Sequence, residues 1–94
     1  MQFHIRCIDK PGRAELRART HAEYLDYIRN FEDQVILAGP TMSDDGESMT
    51  GSVIILETPD RTAAEAFSAD DPYFKAGLFE SVVIRRFRKT LPAD

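Results

Sequence analysis

The chain has 94 residues, 43% of them hydrophobic and 30% charged, enough for one domain (residues 1–94) and too few for two. Its formal charge of -4 argues against nucleic-acid binding, which needs a basic face. The single cysteine, Cys7, excludes an internal disulfide and fits a reducing, cytoplasmic setting; no Cys/His spacing suggests a metal site, no run approaches the ~20 apolar residues of a membrane span, and the first residues carry no signal-peptide pattern.

In chain order, Gln2 to Ile8 alternates, with Phe3, Ile5 and Cys7 on one side and His4 and Arg6 on the other, which predicts a half-buried strand. Asp9-Lys10-Pro11-Gly12 is a turn cluster. Arg13 to Phe31 has helical spacing, with Leu16, Thr20, Tyr24, Ile28 and Phe31 on the inner face and Leu25 at its edge. Gln34 to Ala38 predicts a short strand ending at Gly39-Pro40. Thr41 to Thr50 reads as a polar hairpin tip, and Gly51 to Glu57 as the returning strand. Thr62 opens a second helix, with Glu65 completing a capping box, and it runs to about Ala69. Asp71 caps a further turn that starts at Pro72 and ends at Gly77. Ser81 to Arg88 is the last strand, and residues from Thr90 to Asp94 form a frayed tail.

The order β-α-β-β-α-β predicts an α+β, ferredoxin-like domain: a four-stranded antiparallel sheet with helices on one face. Val53-Ile54-Ile55-Leu56 and Val82-Val83-Ile84 are continuous apolar runs, so both faces of those strands need cover. The cover expected for the second face is the same sheet of another copy, a homodimer through the sheet face.

His21 is the most informative single residue. Helical spacing places it on the inner arc of the first helix, between Arg17 and Leu25. Its unperturbed pKa of about 6.5 makes it the best general acid/base in the chain, although a core histidine bonded to a backbone carbonyl is the structural alternative. Asp71 is the candidate partner: a capping carboxylate uses one oxygen and leaves the other for an imidazole. Asp70 is the alternative. Arg17, one turn before His21, reads either as a contact for an anionic substrate or as an arginine that is solvated or paired with an aspartate. Tyr73 offers a phenol hydrogen bond to a ligand, or packing on the first helix. Gly39 and Pro40 read as punctuation, or as backbone that lets a ligand approach closely. The chain has no phosphate loop, nucleophile elbow or metal-spaced histidine pair, so acid/base chemistry without a cofactor is the simplest enzymatic class.

Several pieces together resemble the YciI-like (YCII-related) family of the dimeric α/β-barrel group. They are the opening strand, His21-Ala22-Glu23-Tyr24-Leu25, Leu37-Ala38-Gly39-Pro40, the strand from Gly51, Ala69-Asp70-Asp71-Pro72-Tyr73, and Ala76-Gly77-Leu78-Phe79. The resemblance implies a dimer of ferredoxin-like subunits, a pocket between helices and sheet, and a histidine–aspartate dyad that maps to His21 and Asp71. A similar member is a dehydrochlorinase acting on a chlorinated hydroxyquinol, and related barrels include muconolactone isomerases and cofactor-free monooxygenases. Fold analogy does not choose among these chemistries. The expectation is a cofactor-free lyase or isomerase for a small cyclic or aromatic metabolite, with Arg17, Gly39, Pro40 and Tyr73 around the substrate. The alternatives are a non-catalytic small-molecule-binding module with the same pocket, and a purely structural dimer.

Overall fold

The computed structural model describes residues 1–93. Its elements are β1 (Gln2–Asp9), α1 (Ala14–Arg29), β2 (Val35–Met42), β3 (Met49–Glu57), α2 (Arg61–Asp70), α3 (Pro72–Lys75) and β4 (Phe79–Phe87). The strands form one antiparallel sheet in the order β2-β3-β1-β4, the ferredoxin-like arrangement. Among the described residues, no helix is long and apolar enough to cross a membrane.

Alternation along β1 and β3 builds the core. Phe3 lies opposite Leu56, Ile5 opposite Ile54 and Cys7 opposite Ser52, and all six are buried. Rings from α1, from the turn that follows it and from α2 close over them. Tyr27, Phe31 and Phe67 cluster, with Phe31 and Phe67 edge to face at 4.8 Å. The Tyr27 hydroxyl donates to the Phe67 carbonyl at 2.7 Å and ties α1 to α2. Burial pushes the Cys7 thiol up to about 12, with the Asp71 charge adding to the effect, so Cys7 is an inert core residue. A Cβ at Gly51 would lie 2.1 Å from the Cys7 carbonyl oxygen. Only glycine fits where β3 approaches β1 this closely.

Several boundaries differ from the sequence expectation, among them the start of β3 at Met49 rather than Gly51. β2 does not stop at Gly39-Pro40 but runs on to Met42, with Pro40 opposite Ser52. It is an edge strand, and on an edge a missing N–H can face solvent. The hairpin tip is correspondingly shorter. α2 begins one residue before Thr62, and its cap is Asp60, whose carboxylate accepts from the Ala63 N–H at 2.8 Å. No Thr62–Glu65 box forms; Glu65 pairs with Arg61 at 3.6 Å. α1 ends at Arg29 rather than Phe31, and β4 starts at Phe79 rather than Ser81. Of the tail expected to fray, Asp94 lies outside the described residues.

The sheet face away from the helices is mixed. Ile55 is buried and Val53 half-buried there, while Leu37, Val83 and Phe87 are exposed. Arg6 sits between Val53 and Val83, and His4 between Ile55 and Arg85.

Candidate active site

Arg17 organises the region where α1 crosses the sheet. Its Nε donates to Asp9 Oδ2 at 2.7 Å, and its Nη2 donates to Asp9 Oδ1 at 2.9 Å and to Ser52 Oγ at 3.0 Å. The side chains of Arg17 and Asp9 are only 6% and 10% exposed, so this is a fork-to-fork ion pair in a nearly dry setting. The guanidinium carbon also sits 4.5 Å from the Tyr73 ring centroid. Burial disfavours the charged guanidinium, but the bonds to Asp9, its charge and the neighbouring Tyr73 outweigh that and raise the pKa. Of the two sequence readings of Arg17, the aspartate-paired one holds.

Tyr73 is clamped on several sides. It is 1% exposed, stacks on Tyr24 at 4.4 Å and meets Phe79 edge to face at 6.1 Å. Its backbone N–H donates to Asp71 Oδ1 at 2.8 Å. Its hydroxyl is 3.2 Å from His21 Nδ1. Burial raises the phenol pKa and Arg17 opposes the shift; the phenol stays protonated at neutral pH.

The sequence placed His21 on the inner arc. Its side chain in fact sits at the rim and is exposed. The sector inward of it is filled instead by Arg17, Thr20 and Tyr24. The imidazole meets the Tyr73 phenol and makes no direct bond to Asp71. Asp71 is 1% exposed and caps α3 through the Tyr73 N–H. It therefore reaches His21 only through Tyr73. Burial lifts its pKa to about 6, against the opposing pull of the Tyr73 N–H, the Arg17 charge and the Phe74 N–H.

These side chains line a cleft made of two adjoining cavities. The inner one, of about 220 Å³, is bounded by α1, by Ala38, Gly39 and Pro40 of β2, by Ser52 and by Tyr73. The outer one, of about 350 Å³, runs along Ala14, Ala18 and His21 to the hairpin residues Glu47 and Ser48. Arg17, His21 and Met49 border both. The structure thus brings His21, Arg17, Gly39, Pro40 and Tyr73 together around one cleft. Asp71 lies behind it. Gly39 and Pro40 contribute as extended strand rather than as a turn. Among the described residues, no three His, Cys, Asp or Glu side chains gather to hold a metal ion.

Sequence reasoning missed Asp9, Ser52, Glu47 and Met49. Asp9 was read as part of a turn and the hairpin residues as a polar tip. The available signal was Asp9 closing a strand just before a helix that carries an inward-facing arginine.

A ferredoxin-like α+β domain with a mostly apolar cleft between its first helix and its sheet edge defines the class of protein. The YCII-related domain family matches residues 1–88, and the chain belongs to that family. It is 30% identical to Protein YciI of Escherichia coli over 95% of this chain and 98% of that protein. It is 29% identical, with the same coverage, to a Haemophilus influenzae protein. It is similar over the whole of both chains, at 31% identity and a TM-score of 0.90, to 5-chloro-2-hydroxyhydroquinone dehydrochlorinase (TftG) of Burkholderia phenoliruptrix, solved in complex with 2,5-dihydroxybenzoquinone.

Two predictions follow from this geometry. Arg17→Met strands the Asp9 carboxylate and is expected to cost about 3–5 kcal/mol in urea unfolding. Adding Asp9→Asn should cost far less than the sum of the two single changes. For Asp71, the folded pKa lies above the unfolded one. Its contribution to stability is therefore complete below about pH 4 and is lost as pH rises through about 6. The loss is on the order of 3 kcal/mol for a shift of about two units. Asp71→Asn keeps an acceptor for the Tyr73 N–H, so it should flatten this part of the pH–stability curve and stabilise the protein at neutral pH.

Proposed function

We propose that the protein is a cofactor-free lyase or isomerase acting on a small cyclic or aromatic metabolite, with His21 as the group that moves the proton. The observation that carries this reading is the His21–Tyr73 contact at the mouth of a mostly apolar cleft. An imidazole held at Nδ1 leaves Nε2 available to a substrate in the cleft that His21 lines. A phenol both donates and accepts, so the contact survives whichever protonation state the ring adopts. His21 takes a proton from a substrate hydroxyl or ring carbon at Nε2. In a lyase, the leaving group then departs with its electron pair as the new double bond forms. In an isomerase, the proton returns at another atom.

Tyr73 orients the imidazole. Asp71 is a positioning residue in this scheme: it fixes the backbone that carries Tyr73, and so completes the histidine–aspartate pairing indirectly. Gly39 and Pro40 form the wall against the ring. Similarity to a dehydrochlorinase supports a lyase and a hydroxylated ring as substrate.

The assay is chloride release from 5-chloro-2-hydroxyhydroquinone. His21→Ala should lower kcat by about 10²- to 10⁴-fold, the usual contribution of a positioned acid/base. Tyr73→Phe, which keeps the stacking, should lose roughly tenfold, about the effect of one hydrogen bond. Full turnover in His21→Ala would replace this reading with that of a non-catalytic binding module.

We also propose that two copies pair through the open sheet face. Leu37, Val83 and Phe87 are exposed there at 54%, 36% and 37%, and burying such a patch is favourable. Sedimentation equilibrium should find a dimer at micromolar concentration and a monomer for Val83→Glu. A monomeric wild type would refute the pairing.

A further inference from the structure

On the inward face of β3, Ile54 and Leu56 are buried apolar side chains, and Ser52 continues that row as a buried hydroxyl, at 2% exposure. It borders the inner cavity of about 220 Å³ together with Arg17, His21 and Tyr73. Ser52 Oγ accepts from Arg17 Nη2 at 3.0 Å, and Arg17 is itself held by both carboxylate oxygens of Asp9. A serine hydroxyl also carries one donor. Among the described residues, the Ser52 O–H has no acceptor of its own. A buried donor without a partner is unfavourable, so it is matched by whatever fills the space beside it, and that space is the inner cavity. A hydroxyl that accepts from a cation is also polarised and donates more strongly. Lys10, Arg13 and Glu47 are exposed and line only the outer reaches of the cleft, where solvent screens them. The charges held away from water behind Ser52 are those of Arg17, Asp9 and Asp71.

We propose that Ser52 is a catalytic residue of this cleft: its O–H donates to a substrate oxygen in the inner cavity and stabilises the negative charge that this oxygen takes up when the substrate loses a proton. The inference rests on the cleft being the binding site, and it adds to the proton-transfer reading the group that receives the developing charge. When His21 takes the proton, the electron pair left behind settles on the substrate oxygen. Ser52 keeps its own proton, and no covalent bond to it forms or breaks. Arg17 acts through Ser52 as a positioning residue, and Asp9 holds Arg17 in place. A donor fixed beforehand, in a site from which water is largely excluded, needs no reorganisation as the charge develops. His21 at the rim and Ser52 on the strand behind it border the same inner cavity, so one ring can meet both.

The test uses 4-nitrophenol, a single ring whose ionised form is coloured, so that absorbance followed against pH gives the affinity of the neutral and ionised forms separately. The wild type should bind the ionised form about tenfold more tightly than the neutral one, because hydrogen bonds to charged groups are the stronger ones. Ser52→Ala should weaken the ionised form by about 10- to 100-fold and the neutral form by no more than about threefold. A variant that has merely lost packing weakens both forms alike, so the ratio separates a lost donor from a loosened fold. Equal weakening of the two forms in Ser52→Ala, no weakening at all, no preference in the wild type, or no binding of the probe at millimolar concentration would each overturn the proposal. His21→Ala should keep the preference, which ties it to Ser52 rather than to the imidazole. Full turnover in His21→Ala, with the Ser52 effect intact, would remove the proton-transfer reading and leave the Ser52 contact standing, so the two failures are distinguishable.

Discussion

The Arg17–Asp9 pair is the constraint on which the rest of the site depends. One guanidinium bonds the end of β1, the start of β3 and, through its face, the ring of Tyr73, while its own backbone belongs to α1. Four elements are thereby fixed relative to one another at a point where little water remains to compete. A buried pair of this kind is weak evidence for stability, because desolvating two ions offsets most of their attraction. Its value lies in geometry. A planar fork accepts one arrangement of partners, whereas packed aliphatic groups tolerate several. The close approach of β3 to β1 at Gly51 places Ser52 within reach of that fork.

Tyr73 passes this order on to His21. Its ring is held between Tyr24, Phe79 and the Arg17 guanidinium, and its backbone is held by Asp71, so the hydroxyl has one place to be. His21 itself is exposed, at the rim of the face that Arg17, Thr20 and Tyr24 bury. An exposed imidazole samples several rotamers unless something selects one. The phenol at 3.2 Å is the group that does so. The rigid partner is therefore buried and the imidazole accessible, the arrangement on which the proposed proton transfer relies.

Much of this was legible in the sequence, and the parts that were not share a cause. Alternation in Gln2–Ile8 and the helical spacing after Arg13 follow from local geometry, so they fix element type and order. The cluster of Arg17, His21, Gly39, Pro40 and Tyr73 was also within reach, because the resemblance tied the helix, the strand end and the Asp71-Pro72-Tyr73 segment to one pocket. The errors came from facts that exist only once the sheet is assembled. Pro40 ends a central strand but not an edge one, and edge position is a property of strand order. The spacing left Arg17 open between a substrate contact and an aspartate-paired arginine, because its partner Asp9 lies eight residues back, across a turn. Thr62 looked like a cap because Thr-x-x-Glu has the capping-box form, yet Asp60 occupies the earlier position and supplies a carboxylate to the first free N–H groups. The direction of His21 could not be read from periodicity, since a residue at the edge of an apolar arc points inward or outward according to what already fills the interior.

Asp71 shows how stability and function diverge in such a site. A carboxyl buried deeply enough to have its pKa lifted to about 6 is a poor choice for a cap if stability were the only demand. An exposed aspartate such as Asp60 caps α2 without that burden. The difference is what each cap holds. Asp60 anchors a helix that merely covers the sheet, while Asp71 anchors the backbone of the residue that touches His21. Solvent excluded from Asp71 is also excluded from the Arg17–Tyr73 stack beside it, and a fluctuating, hydrated α3 would release the phenol. The unfavourable burial of one acid is thus the consequence of keeping the back of the cleft dry.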